Sequence, residues 1–266
     1  MEIFGYLLAI LVGISLGLIG SGGSILTVPI LVYIMGIEPV LATAYSLFIV
    51  GFAALIGGLQ NAFQQKVDFK TVLIFGLPSI IAVYATRFWL IPLIPNQIGS
   101  IGELMFSKSI ALMLLFAIVM IFASISMIKP KKVNTLVEEV PMKYNYPMIL
   151  LEGLLVGILT GLVGAGGGFL IIPALVIFAK MPMKLAVGTS LFIIAAKSLF
   201  GFIGDLQRAV LIDWKLLIIF SGFAVTGILI GVLLSKKMEG EKLKKIFGWF
   251  VLIMGIYIII KELFLK

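Results

Sequence analysis

Residues Gly161–Pro173 read GLVGAGGGFLIIP, and the same design occurs earlier, at Gly17–Pro29, as GLIGSGGSILTVP. In each copy a glycine-rich break interrupts an apolar run, and a proline follows about two helical turns later. Neither residue type is selected for apolarity, so repeating them inside membrane-length sequence specifies backbone geometry. Glycine allows positive φ and close approach of another backbone or a ligand, while proline frees a carbonyl one turn back. Unwound backbone at bilayer depth is tolerated only where it is buried in protein or lines a polar cavity. The two breaks are therefore expected to face each other and to build a transport site.

The rest of the chain fits that setting. It has 266 residues, 62% apolar and 12% charged, with a mean hydropathy of +1.25. A soluble domain of this length cannot hide so much apolar surface, so the chain reads as a polytopic membrane protein whose first partner is the lipid bilayer. It contains no cysteine and no histidine. That excludes disulfides, thiolate chemistry, histidine-ligated metals and histidine-based triads. The formal charge of +8 sits in short loops between apolar runs, where basic residues set topology, and nucleic acid is not an expected partner. The N-terminus carries Glu2 and no basic residue before the first apolar run, so it reads as a retained span and not as a cleavable signal peptide.

The two halves are repeats. A shift of 144 residues pairs Gly17, Gly20, Gly22 and Gly23 with Gly161, Gly164, Gly166 and Gly167, Pro29 with Pro173, and Ser46 with Ser190. One inserted residue later, Asp68-Phe69-Lys70 matches Asp213-Trp214-Lys215. The expected organisation is a first transmembrane repeat over 1–128, a cytoplasmic linker over 129–146 and a second repeat over 147–266. The fold class is an all-α integral membrane protein, with two homologous inverted-topology repeats of about five segments each and short helices broken by glycine. The inversion comes from counting basic residues. With ten crossings and the linker inside, thirteen Lys lie on the cytoplasmic side against five Lys or Arg outside. Segments 25–36 and 169–179 are shorter than the roughly 20 residues of a straight span, which leaves full crossing and re-entry both open.

Three sets of residues could carry chemistry. A helix N-terminus after each break presents unpaired N–H groups and partial positive charge, which suit an anion. Those residues are Gly20, Ser21, Gly22, Gly23 and Ser24 in the first copy, and Gly164, Gly166, Gly167 and Gly168 in the second; neither copy carries the Lys-Ser/Thr pair of a nucleotide loop. The structural alternative is tight helix crossing through small residues. A second set, Thr43, Ser46, Thr189, Ser190 and Ser198, supplies hydroxyls within apolar spans, where hydroxyls also commonly bond their own backbone. The third is Lys197, midway along its span, where an unpaired cation costs at least about 2.5–3.5 kcal/mol. Its repeat counterpart is Ala53, so the charge is an asymmetric addition. It reads as an anion ligand, or else as half of an ion pair with Asp205 or Glu152. Arg87 lies nearer a span end and is expected to snorkel. Asp205 and Glu152 are the candidates for proton coupling.

Two copies of G-L-[IV]-G-x-G-G followed by L-x-x-P, with TSLFIIAAKSLFGFIGD after the second, resemble the TauE/SafE sulfite exporter family over essentially the whole chain. That resemblance implies a prokaryotic or organellar carrier of sulfite, sulfonates and related sulfur anions, built as two homologous helical halves. The expected function is a secondary transporter, exporting a small sulfur-containing anion by alternating access from a prokaryotic inner membrane. No cofactor, no metal and no catalytic residue are expected, and a homodimer is left open. An anion channel, an intramembrane enzyme and a non-transporting assembly partner are the alternatives. The first wants a continuous polar pore, the second lacks histidine and cysteine, and the third has no use for paired breaks.

Overall fold

The computed structural model describes residues 2–20, 22–101, 104–128, 146–178, 181–207, 212–234 and 240–264. Ser21 and residues 129–145 of the expected linker lie outside the described residues. Apolar composition without strand alternation gives helices almost throughout. The first half holds α1 (Glu2–Ile19), α2 (residues 22–34), α3 (Pro39–Phe63), α4 (Phe69–Leu93) and α5 (Lys108–Ile128). The second holds α6 (Tyr146–Val163), α7 (Gly168–Phe178), α8 (Met183–Leu206), α9 (Trp214–Leu234) and α10 (Gly240–Phe264). Among the described residues the only strands, β1 (Gln97–Ile101) and β2 (Leu104–Ser107), form an antiparallel hairpin between α4 and α5.

Side-chain caps and prolines set the ends. The Glu38 carboxylate accepts from Leu41 N–H at 3.0 Å, and Pro39 takes the first helical position of α3, where a missing N–H is harmless. Asp68 accepts from Lys70 N–H and Thr71 N–H at the start of α4, and Asp213 from Leu216 N–H at the start of α9. The matched Asp-aromatic-Lys triplets are thus helix starts. Two helices change pitch near proline. α2 runs from a 3-10 turn (Gly22–Leu26) through Pro29 into a π turn (Ile30–Ile34), and α4 opens into a π turn (Thr86–Leu90) just before Pro92. A proline cannot donate to the carbonyl four residues back, so the ladder around it re-forms with a different period.

Packing follows the internal repeat. α1 lies on α9 as α6 lies on α4, and α4 lies on α8 as α9 lies on α3, while α3–α8 and α5–α10 pair counterpart with counterpart. Direction is fixed by which residues meet. Gly51 faces Leu199 while Gly58 faces Phe192, so α3 and α8 run antiparallel. Gly248 meets Met127 and Ile128 while Gly255 meets Met120 and Ile121, so α5 and α10 do too. Gly13 and Gly17 cross Ala224 to Val232 in rising order, and Gly153, Gly157 and Gly161 cross Phe75, Ser79 and Thr86 likewise, so those two pairs are parallel. Small residues spaced by four let the backbones touch, which is how helices associate where lipid removes the hydrophobic drive.

Two apolar cores result. One gathers α1, α3, α4, α6, α8 and α9 with Ile30 and Leu31 of α2 and Ile171 and Leu175 of α7; the other gathers α5 and α10 around Ile25 and Val28 of α2 and Val163 and Ala165 at the second break. Apolar side chains such as Leu73, Leu77 and Ile81 of α4 and Leu151, Leu154 and Leu155 of α6 point outward. Among the described residues five helices, α3, α4, α5, α8 and α9, are long and apolar enough to cross a membrane. α7 has 11 residues, about 16 Å of helix, too short for a straight crossing of a core of about 30 Å.

A side chain on Gly13 would overlap the Ala224 carbonyl oxygen, whereas one on Gly222 meets nothing within 4 Å. Gly13→Leu should therefore destabilise the α1–α9 crossing by about 1–3 kcal/mol or more. Gly222→Ala should be neutral or stabilising by up to about 1 kcal/mol. Thermal unfolding of the purified protein in detergent compares the two; equal effects would show that the crossing is not backbone-limited.

Candidate anion-binding site

The second break turns on three glycines with left-handed backbone, Gly164 (φ 73°), Gly166 (φ 65°) and Gly167 (φ 60°). Each also sits where a side chain has no room. A Cβ on Gly164 would lie 2.5 Å from the Thr43 Cβ, and one on Gly166 would lie 2.8 Å from Val50 and 3.4 Å from both Ile194 and Ser24. Val50 and Ile194 are repeat counterparts, so Gly166 sits where the halves meet, and Ser24 brings the first break to the same place. Gly20, the turning glycine of the first break, packs on Val187, the counterpart of Thr43. Each break thus docks on the opposite half. Gly23 is pressed instead against Ser15 and Leu16 of its own neighbour, α1, while Gly22 begins the 3-10 turn and Gly168 begins α7.

Lys197 reaches this junction from α8. It is 0% exposed, and its Nζ donates to Thr160 Oγ1 of α6 at 2.9 Å. A side chain on Gly167 would come 2.9 Å from that nitrogen, so the ammonium position lies against the break backbone, one residue before α7 begins. Beside it is a small cleft of about 10 Å³, room for about one water, lined by Val119, Leu159, Val163 and Leu170 with Thr160, Ala165 and Gly167. Among the described residues no carboxylate lies within ion-pair distance of Lys197. The cation, a hydroxyl and the N-terminus of α7 converge without a negative charge, which is the donor set for an oxyanion. Thr160 was not among the residues expected from sequence. Its counterpart is Leu16, and a lone threonine in an apolar helix carries no signal until Lys197 is seen to reach it.

The second buried cation corrects an expectation. Arg87 does not snorkel: it is 0% exposed, with Nη1 3.4 Å from Asp205 Oδ2 and donating to Thr43 Oγ1 at 3.0 Å. Its place in the π turn, against Gly204, swings it inward. Asp205 is therefore the partner of Arg87, and not of Lys197. Thr43, which also donates to Val40 O, links that pair to Gly164.

The other hydroxyls divide. The Ser46 and Ser198 hydroxyls are buried with no hydrogen-bond partner among the described residues. Ser190 donates to Val187 O, satisfying its own helix. Thr189 accepts from Asp68 N–H at 2.9 Å, and its counterpart Tyr45 accepts from Asp213 N–H at 2.7 Å. These two hydroxyls fasten the starts of α4 and α9, and Thr189 stands eight residues, about 12 Å of helix, before Lys197. Glu152 is half-buried, eight residues before Thr160 on α6. Among the described residues no group of three or more His, Cys, Asp or Glu could hold a metal ion.

Residues 6–258 match the protein family described as "Sulfite exporter TauE/SafE". A "Probable membrane transporter protein" of Xylella fastidiosa (strain 9a5c) is 31% identical over 255 residues, covering 94% of this chain and 91% of that protein. "Probable membrane transporter protein YunE" of Bacillus subtilis (strain 168) is 26% identical over 97% of each chain. "Probable membrane transporter protein MJ0441" of Methanocaldococcus jannaschii is 30% identical over 75% of this chain and 72% of that protein. No solved structure matches.

Removing one member of a buried ion pair strands the other. Asp205→Asn should cost about 3–5 kcal/mol of stability, and the double change Arg87→Met with Asp205→Leu should recover most of it. Thermal unfolding in detergent reads both. A mild Asp205→Asn, matching a surface change, would mean that the pair is not a structural tie.

Proposed function

The chain belongs to the TauE/SafE sulfite exporter family and is a multi-pass membrane transporter, not an enzyme; from that premise we propose that it is a secondary carrier exporting a small sulfur-containing anion, such as sulfite or an organosulfonate, by alternating access. The observation that carries the substrate class is Lys197, fully buried with its Nζ on Thr160 and against Gly167, with no carboxylate within ion-pair distance among the described residues. A pyramidal or tetrahedral oxyanion takes the ammonium and the Thr160 hydroxyl, beside the positive end of the α7 dipole. Gly167 is the break glycine that faces the Lys197 nitrogen and the Thr160 hydroxyl, while Gly164, packed on Thr43, and Gly166, packed on Val50, Ile194 and Ser24, hold the turn in place.

The mechanism rests on the paired architecture. Antiparallel packing of α3 on α8 and α5 on α10 supports reading the halves as inverted-topology repeats. The α5–α10 core, which closes over both breaks and contributes Val119 to the cleft, is the body that rocks against the larger core. Motion in one sense opens the Lys197 cleft to one face, and the reverse motion opens it to the other. Full burial of Lys197 supports a carrier over an open pore. Relatives in two bacteria and an archaeon support the inner membrane of a prokaryote as its location.

Counterflow of radiolabelled sulfite in proteoliposomes tests this reading. The native chain should accumulate label against unlabelled sulfite inside. Lys197→Ala, losing a charge-assisted contact, should weaken half-saturation by roughly ten- to a hundredfold. Unchanged counterflow in Lys197→Ala would remove the site, and linear, non-saturating flux would replace the carrier by a channel.

A further inference from the structure

The two buried cations are treated differently by their surroundings. Arg87 faces Asp205. Lys197, equally inaccessible, has Thr160 as its one hydrogen-bond partner among the described residues, and that partner is neutral. The elements around it hold little that could balance a charge. On its own helix, Asp205 is eight residues away and tied to Arg87. On α6 the titratable residues are Tyr146 and Glu152, with Glu152 about 12 Å of helix from Thr160. α4 contributes Lys70, Tyr84 and Arg87, of which Lys70 begins the helix at Asp68 and Arg87 is paired. α3 brings only Tyr45, bonded to Asp213 N–H, and the break and α7 bring none. α5 has only Lys108 at its first turn, donating to the Ile91 carbonyl.

An ammonium without a counter-ion in such a place costs several kcal/mol, and a lysine escapes that cost by giving up its proton, which an arginine cannot do. Resting on the anion-site reading above, we propose that Lys197 is the coupling group of the carrier: an uncharged amine when the site is empty, it takes up one proton with each anion bound. The step balances as amine, proton and monoanion going to an ammonium–anion pair, with the proton drawn from water on the face to which the cleft is open. The loaded site is neutral, and so is the empty one. Both cross without moving net charge, so the membrane potential neither assists nor opposes flux. Direction follows the anion gradient and the pH difference, and export is downhill from a cell in which the anion accumulates. The carboxylates expected to couple protons, Asp205 and Glu152, are not needed: the first holds Arg87 and the second lies away from the cleft.

The test is calorimetric binding of sulfite and of methanesulfonate to the purified full chain at alkaline pH; methanesulfonate, a monoanion with no group that titrates there, carries the proton count, because sulfite is a dianion at that pH and can take up a proton itself. The titration is repeated in two buffers of different ionisation enthalpy. The native chain should take up about one proton per anion, and its affinity should fall about tenfold for each further pH unit. Lys197→Arg, permanently charged, should bind without proton uptake and with affinity independent of pH. Anion binding by the native chain with buffer-independent heat and flat affinity would overturn the coupling role and leave the anion site standing. That result needs no variant, so a misfolded Lys197→Arg does not weaken the test. Absence of binding by both probes would remove the anion site and this proposal with it.

Discussion

The backbone at Gly164, Gly166 and Gly167 has to take a left-handed conformation at positions with no room for a side chain. Everything around the site depends on that constraint. Left-handed backbone costs an ordinary residue about 1–2 kcal/mol, and steric overlap adds to it, so substitution is opposed twice at the same positions. With the turn in place, α7 starts beside Lys197, Thr43 packs on Gly164, and Ser24 of the other half comes within contact of Gly166. Without it, the apolar run would continue as one helix and the two breaks would not meet beside Lys197.

Duplication explains the frame, and departure from duplication explains the site. Paired devices recur in both halves: Tyr45 and Thr189 hold the starts of α9 and α4, Phe48 stacks edge-on against Trp214 as Phe192 does against Phe69, and glycines space both parallel crossings. The polar junction is single. Lys197 and Thr160 correspond to Ala53 and Leu16, and Arg87 has no counterpart cation in α9. In the proposed carrier the matched packing serves the rocking of two inverted halves, whereas one bound anion needs only one set of donors.

Much of this was legible in the sequence because glycine and proline are costly in apolar helices, and recurrence of such residues at one offset reads as design. The breaks and the short α2 and α7 came from that signal; the matched Asp-aromatic-Lys triplets were legible as a repeat, and the structure shows them to be helix starts. Thr160 was not legible, since a hydroxyl in a membrane helix usually serves its own backbone and only the tertiary path of Lys197 gives it a partner. Thr189 was over-read for the converse reason: it repeats a bond made by Tyr45, a residue of different chemistry, so the repeat was hidden. Arg87 was misplaced because distance from a span end predicts snorkelling only on a regular helix. The π turn before Pro92 rotates the side chain out of that register and toward Asp205.

The two buried cations show why residue type matters more than charge count here. A guanidinium cannot be neutralised by losing a proton, so at 0% exposure it has to bring a carboxylate, and it then serves as a fixed tie between α4 and α8. A lysine at the same depth has another route, and Lys197 stands where no carboxylate is supplied among the described residues. If Lys197 held a permanent charge, the empty site would carry an unbalanced ammonium through every return stroke, at a cost that an adjacent Asp would have removed. An Asp there would also have filled the place of the substrate. In the proposed coupling, leaving out the counter-ion keeps the position open for an anion and makes the arrival of that anion the event that charges the lysine.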